Sequence, residues 1–170
     1  MRKIILFIAA SLDCYIARKD GGIDWLFIDA DYGYKKFYAG VDTLIVGANT
    51  YRQAQGWKQW PFAGKKCFVM TRQKKMKKDS RVEFAANALS LARKLKKEKG
   101  KNIWLVGGSQ IISVLANAGL VDELVLSIHP VVLGQGIPLF ADMKKEKWLE
   151  LGKVKSFKSG LVQLSYKLPI

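Results

Sequence analysis

Residues 102–120, NIWLVGGSQIISVLANAGL, constrain the fold of this chain more than any other stretch. The apolar run 103–106 reads as a short buried strand, Gly107 and Gly108 break it, and Ser109 opens an amphipathic helix with Ile111, Ile112, Val114 and Leu115 on its apolar side. Paired glycines let the backbone take positive φ and pass close to a ligand. The helix start leaves unpaired N–H groups at the positive end of the helix dipole. A phosphate suits that place, while a turn that merely packs helix on sheet has the same local sequence.

The rest of the chain repeats this strand, break and helix logic. Residues 4–10, IILFIAA, are apolar at every position, as expected of a strand covered by helices on both sides. SLDCYIA at 11–17 leads to a turn at Asp20, Gly21 and Gly22. A helix is expected over residues 29–38, with Asp29 and Asp31 in its first turn and Tyr34, Phe37 and Tyr38 facing inward. Residues 43–46 form a second buried strand, Gly47 breaks it, and Asn49 or Thr50 offers an N-cap for a short helix. Further strands are expected at 66–70, ending in Thr71 and Arg72, and at 82–85, before a helix over 88–98 with Leu89, Ala92 and Leu95 at core spacing. Another strand at 123–128 and a turn-rich loop at 133–140 precede two long strands, 148–157 and 161–168, joined at Ser159 and Gly160 as a hairpin. The pattern predicts one α/β domain over residues 1–170, with a mostly parallel central sheet flanked by helices and a C-terminal antiparallel hairpin at its edge.

Composition narrows the function classes. At 170 residues and 49% hydrophobic content the chain can bury one real core. No apolar run approaches the roughly 20 residues of a membrane span, and residues 4–10 read as a strand rather than a leader, so a cytoplasmic protein with no membrane partner is expected. Cys14 and Cys67 lie in apolar, strand-like contexts and read as buried free thiols. The net charge of +15 comes mostly from lysine runs at 74–78, 93–101 and 144–147. Such a field favours anions, but the runs lack interleaved aromatic residues, so they read as solvated surface rather than a nucleic-acid interface. A phosphorylated cofactor would be drawn by the same field.

Several chemistries lack their motifs. No G-x-G-x-x-G follows the first strand, no P-loop triplet occurs, and no G-x-S-x-G elbow accompanies the single histidine, His129, which reads as structural. No metal-ligand spacing is present. What remains is three strand ends: Gly47-Ala48-Asn49-Thr50, Thr71-Arg72, and Gly107-Gly108-Ser109-Gln110. In a parallel sheet all three open at the carboxyl edge, where together they can line one long anionic ligand.

The order of SLDCYIA, IDWL, DTLIVGANTY, FVMTR, WLVGGSQII, LVDEL and HPVVLGQGIPLF resembles the dihydrofolate reductase-like superfamily. Within it, the chain is most similar to the reductase domain of the bifunctional riboflavin-biosynthesis deaminase-reductase and its stand-alone relatives. The resemblance implies the dihydrofolate reductase-like fold, a homodimer, and NADPH-dependent hydride transfer to a C=N bond of a pyrimidine or pteridine, a small-molecule substrate. By similarity, Gly107, Gly108, Ser109, Gln110 and Ile111 would hold the cofactor pyrophosphate, with Gly47, Asn49 and Thr50 on its other side. Thr71 and Arg72 would lie at the adenosine 2′-phosphate, and Ala9 and Ile16 would flank the nicotinamide. A guanidinium at Arg72 can hold a phosphate through two hydrogen bonds, which would discriminate NADPH from NADH. Asp31, or else Asp29, would anchor the substrate ring and assist protonation, with Ser127 hydrogen-bonded to the same carboxylate.

Departures from the family pattern bear on the substrate. Cys14 stands at a usual glycine, Ala48 at a frequent basic residue, and Tyr51-Arg52-Gln53-Ala54 where riboflavin-type reductases carry two acids and a proline. Lys65 falls near the arginine that pairs with the folate carboxylate in dihydrofolate reductases. Reduction of dihydrofolate is therefore the alternative reaction, and a non-catalytic basic nucleotide- or nucleic-acid-binding protein is the alternative of another class. Trp57 and Trp60 either line a substrate pocket or anchor the core.

Overall fold

The computed structural model describes residues 1–73 and 76–169, so Lys74 and Lys75 of the 74–78 lysine run lie outside the described residues, as does Ile170. The chain runs β1 (Ile4–Ser11), β2 (Tyr15–Ala17), α1 (Tyr34–Ala39), β3 (Val41–Gly47), α2 (Ala48–Gln55), β4 (Lys66–Met70) and β5 (Glu83–Ala85). It continues through α3 (Ala88–Lys97), β6 (Asn102–Gly107), α4 (Ser109–Asn117), β7 (Glu123–His129), β8 (Ile137–Pro138), β9 (Glu150–Ser156) and β10 (Val162–Lys167). Eight strands form one sheet in the order β5-β4-β3-β6-β1-β7-β10-β9. Every pair from β5 to β7 is parallel, and β10 runs antiparallel to both β7 and β9. A two-stranded ribbon pairs β2 with β8. The fold is thus the dihydrofolate reductase-like α/β arrangement expected from the sequence, antiparallel edge included.

Strand alternation divides the interior into two layers. Ile4, Leu6 and Ala10 of β1, Ile103 and Leu105 of β6, and Leu124 and Leu126 of β7 pack with Leu95 of α3 and with Ile111, Ile112 and Leu115 of α4. Leu44 and Val46 of β3, Cys67 and Val69 of β4, and Trp104 of β6 pack on the other face with Tyr51 and Ala54 of α2 and Phe62. Helices therefore cover both faces, which is why the central strands carry apolar residues without interruption.

Polar side chains lock the amino ends of the strands. Arg2, 7% exposed, pairs with Asp42 and donates to Thr43 Oγ1 (2.7 Å) and to the Lys101 carbonyl. Asp122 accepts from the Ile4 N–H at 2.7 Å and pairs with Lys96.

Local corrections have local causes. The helix expected over 29–38 begins only at Tyr34, because Tyr32 (φ 49°) and Gly33 (φ 85°) both take left-handed backbone, so Asp29 and Asp31 precede it. Asp31 still receives the Lys35 N–H on Oδ1 at 3.0 Å. Neither Asn49 nor Thr50 caps α2; Gly47 is the N-cap and both lie inside the helix. Val114 is 40% exposed and leaves the apolar side of α4 to Ile111, Ile112 and Leu115. Cys67 is buried as expected, but Cys14 is exposed in a turn at φ 64°, where glycine would be unstrained. Trp60 is a packing anchor, edge-on to Tyr51 and Phe62 with the Arg81 guanidinium 4.4 Å above its ring, whereas Trp57 is 46% exposed. Among the described residues no helix is long and apolar enough to cross a membrane.

The β2–β8 ribbon depends on Gly136, where a Cβ would overlap the Ala17 carbonyl oxygen. Gly136→Ala is expected to destabilise the protein by about 2 kcal/mol, read as a lower urea midpoint.

Candidate active site

Two turns meet at the carboxyl edge of the sheet. Pairing of β3 with β6 sets Val46 beside Gly107, and a Cβ on Gly47 would lie 3.0 Å from the Gly107 oxygen and 3.3 Å from the Gly108 nitrogen. Any side chain there would have to push this backbone back by a few tenths of an ångström, so glycine suits the approach. Thr50 Oγ1 accepts the Gly108 N–H at 3.1 Å, tying the start of α2 to the start of α4. On its remaining side Gly108 faces open space, since a Cβ there would meet only Thr50 Oγ1 at 3.6 Å. The first bond at the head of α4 runs from the Ile112 N–H to the Gly108 carbonyl, so the N–H groups of Ser109, Gln110 and Ile111 belong to the unpaired first turn of the helix. These unpaired N–H groups are donors of the kind that a diphosphate takes at a helix start.

Side chains around the two turns are partly committed. Ser109 donates its hydroxyl to the Pro138 carbonyl, holding β8 over the helix start and leaving only its backbone for a ligand. Ile111 is buried in the core, Gln110 is exposed, and Asn49 receives the Arg52 guanidinium. At the next strand end Thr71 donates its N–H to the Ala85 carbonyl and accepts the Gln73 N–H on Oγ1. Arg72 is exposed and, among the described residues, forms no ion pair. Beside it a recess of about 660 Å³ between α2 and residues 76–81 is lined by Arg52, Lys77, Lys78 and Arg81. Asp79 braces that recess by accepting from Tyr51 Oη and Arg81, and those bonds hold its carboxyl well below the usual carboxylate range.

A second cavity, about 380 Å³, opens where the sheet changes from parallel to antiparallel. Its floor is one face of two paired strands: Phe7 and Ala9 from β1, Ser127 and His129 from β7, with Ala9 beside Ser127. Residues 26–28 and 30–32 with Tyr34 roof it, and Leu161 closes the hairpin side. The roof is pinned by Gln163, which is 5% exposed and donates through Nε2 to the Tyr32 carbonyl and to Ser127 Oγ, both at 3.1 Å. Asp31 lies in the lining, whereas Asp29 is exposed outside it and accepts from Tyr32 Oη at 2.9 Å. Ser127 thus meets Gln163 and not a carboxylate. Ile16 is half-buried at the edge of the core cluster that includes Ala10 and Ile112.

Residues 2–163 match the family model for the RibD C-terminal domain. The chain belongs to the RibD C-terminal domain family. It is 40% identical over 170 residues to the uncharacterized protein YwjB of Bacillus subtilis (strain 168), covering 97% of each chain. It superposes with a TM-score of 0.86 on a crystal structure from Shewanella sp. PV-4 provisionally assigned to riboflavin biosynthesis, at 28% identity and full coverage of both chains. The Thermotoga maritima diaminohydroxyphosphoribosylaminopyrimidine deaminase/5-amino-6-(5-phosphoribosylamino)uracil reductase shares the fold at a TM-score of 0.77 and 15% identity, over 99% of this chain and 57% of that one.

This family member adds site residues that sequence reasoning passed over: Phe7, Phe27 and Tyr32 in the lining, and Gln163 behind it; Tyr34 faces the cavity and not only the core, and His129 lies in the floor. Period two supplied a signal, since His129 shares the face of Ser127, as Phe7 shares that of Ala9. His129 is 3% exposed; its Nε2 accepts the Phe27 N–H at 3.2 Å and its Nδ1 lies 3.3 Å from the Ser127 carbonyl. Burial lowers its pKa from the ordinary 6.5. Below 6.5 the unfolded chain therefore holds a proton that the folded protein refuses, so stability is present above that value and is lost as pH falls through it. The urea midpoint is expected to fall from about pH 7 to about pH 5, and His129→Gln, which keeps an acceptor for Phe27, is expected to flatten that slope.

Proposed function

We propose that this chain is an NADPH-dependent reductase that transfers hydride to a C=N bond in a pyrimidine or pteridine ring. The observation that carries this reading is the layout of one sheet edge: diphosphate-compatible turns at the ends of β3 and β6, and an aromatic-walled cavity containing Asp31 beside the neighbouring strand β1. Family membership supports it, as does the likeness to proteins named for riboflavin biosynthesis.

NADPH supplies the hydride. The N–H groups at the head of α4 would hold its pyrophosphate from one side, and the start of α2, with Gly47, Asn49 and Thr50, from the other. Arg72 would meet the 2′-phosphate with Thr71 beside it, and Arg52, Lys77 and Lys78 add positive charge nearby. Ala9, in the cavity floor, and Ile16 would bound the nicotinamide. Asp31, exposed at the cavity wall, would hold the ring through its N–H groups and relay a proton to the nitrogen that gains one. Asp29 and Ser127 would act on that site indirectly, through Tyr32 and Gln163. The folate alternative loses its anchor, because Lys65 Nζ donates to the Tyr38 and Val41 carbonyls at 2.8 and 2.7 Å. A homodimer belongs to this reading as well, and light scattering checks it.

Fluorescence titration tests the cofactor directly. Tight binding of NADPH over NADH is expected, with Arg72→Ala weakening NADPH by about tenfold, equivalent to about 1.4 kcal/mol, and leaving NADH unchanged. Equal affinity for the two cofactors would refute the role of Arg72, and binding of neither would refute the reductase reading. In turnover assays Asp31→Asn is expected to lower kcat by about a hundredfold without changing NADPH affinity, and Asp29→Asn to leave it nearly unaltered.

A further inference from the structure

Phosphate recognition needs donors aimed at the phosphate, and preferably charged ones. Among the described residues the cavity beside β1 and β7 offers no charged donor: its twelve lining residues carry a single formal charge, the carboxylate of Asp31, although 29 of the 170 residues of the chain are Lys or Arg. Its neutral side-chain donors are few: the hydroxyls of Ser127 and Tyr34 face it, and the others are engaged. Gln163 Nε2 serves Tyr32 and Ser127 Oγ, and both nitrogens of His129 face backbone partners, with burial keeping the ring uncharged. The remaining surface is ring and hydrocarbon: Phe7, Phe27, Tyr32 and Tyr34 inside, and Ile28, 95% exposed, at the rim. Burial pushes the Tyr34 phenol up to about 12, so it adds no charge of its own.

Resting on the reductase reading, we infer that the substrate is a flat, uncharged heterocycle that bears no phosphate, held between aromatic side chains with its N–H edge toward Asp31. A phosphate carried into this cavity would leave water for a site with one carboxylate and no compensating cation, which costs several kcal/mol. The overall charge of +15 does not replace a local partner, because at physiological salt it is screened within about 8 Å. The Thermotoga maritima protein is named for a phosphoribosylamino substrate. In this chain the same reaction class would take the ring without that phosphate.

The test is a matched ligand pair, 6-(ribitylamino)uracil and its 5′-phosphate, titrated at 0.15 M salt into the full-length protein with and without NADPH. The unphosphorylated ligand is expected to bind at least as tightly as its phosphate. Ile28→Lys, which places a cation at the rim without touching the floor, is expected to shift the ratio about tenfold toward the phosphate. Tighter binding of the phosphate by the unmodified protein overturns the inference, as does failure of the unphosphorylated ligand to bind. An unchanged ratio in Ile28→Lys overturns the role given to the rim. Failure of NADPH itself to bind overturns the reductase reading separately, while the ligand ratio measured without cofactor still judges the cavity.

Discussion

Parallel pairing of β4, β3, β6, β1 and β7 is the constraint from which the rest follows. Strands that run the same way must be joined by crossovers, so every carboxyl end opens on one edge and every amino end on the other. The amino edge carries structural polar contacts: Arg2 with Asp42 and Thr43, and Asp122 with Lys96 and the Ile4 N–H. These fix the relative heights of β1, β3 and β6. The carboxyl edge, relieved of that task, keeps glycines and short polar residues. The contact between Gly47 and Gly107–Gly108 is a consequence of register, since shifting β3 by one residue would put the side chain of Val46 or Ala48 against backbone.

The cavity has an equally simple origin. On the face that carries α1 and α2, those helices cover β3, β4 and β6, and the antiparallel hairpin begins only beyond β7. Between them β1 and β7 receive a loop, residues 23–33, instead of a helix. That loop cannot bury its backbone without partners, so buried polar side chains appear on this face, Gln163 and His129 among them, each bonded to loop backbone. The left-handed pair Tyr32 and Gly33 then turns the chain into α1. One device both roofs the cavity and delays the helix.

That device also explains what the sequence revealed and what it hid. The central strands were legible almost to the residue: 66–70 is β4 itself, and 103–106 lies inside β6. Apolar runs of that length between turn signals have few other destinations. The two turns at Gly47 and Gly107 were legible as partners because parallel topology leaves their ends adjacent. The start of helix α1 was not, because left-handed backbone at a tyrosine leaves no mark in composition. Nor could sequence show that Ser109 spends its hydroxyl on Pro138 or that Ser127 meets Gln163, since those partners lie 29 and 36 residues away. Cys14 is the reverse case: the resemblance marked the position as a usual glycine, and the positive φ found there supplies the reason.

Electrostatically the two halves of the site are opposites, and the arrangement of cations decides which does what. Arg2, Lys96, Lys65 and Arg81 are consumed in holding strand ends, the end of α1 and the Asp79 brace. Arg52, Lys77 and Lys78 line the recess next to Arg72 and Thr71. A ligand lying along the carboxyl edge therefore meets positive charge at its β4 end, unpaired helix N–H groups at β6 and, among the described residues, a mostly apolar and aromatic lining with one carboxylate at β1 and β7. A molecule with phosphates at one end and an uncharged reactive ring at the other fits that gradient in one direction only. Reversed, it would set phosphates against Asp31 and forfeit every donor at the helix starts, so orientation follows from charge placement before any shape complementarity is considered.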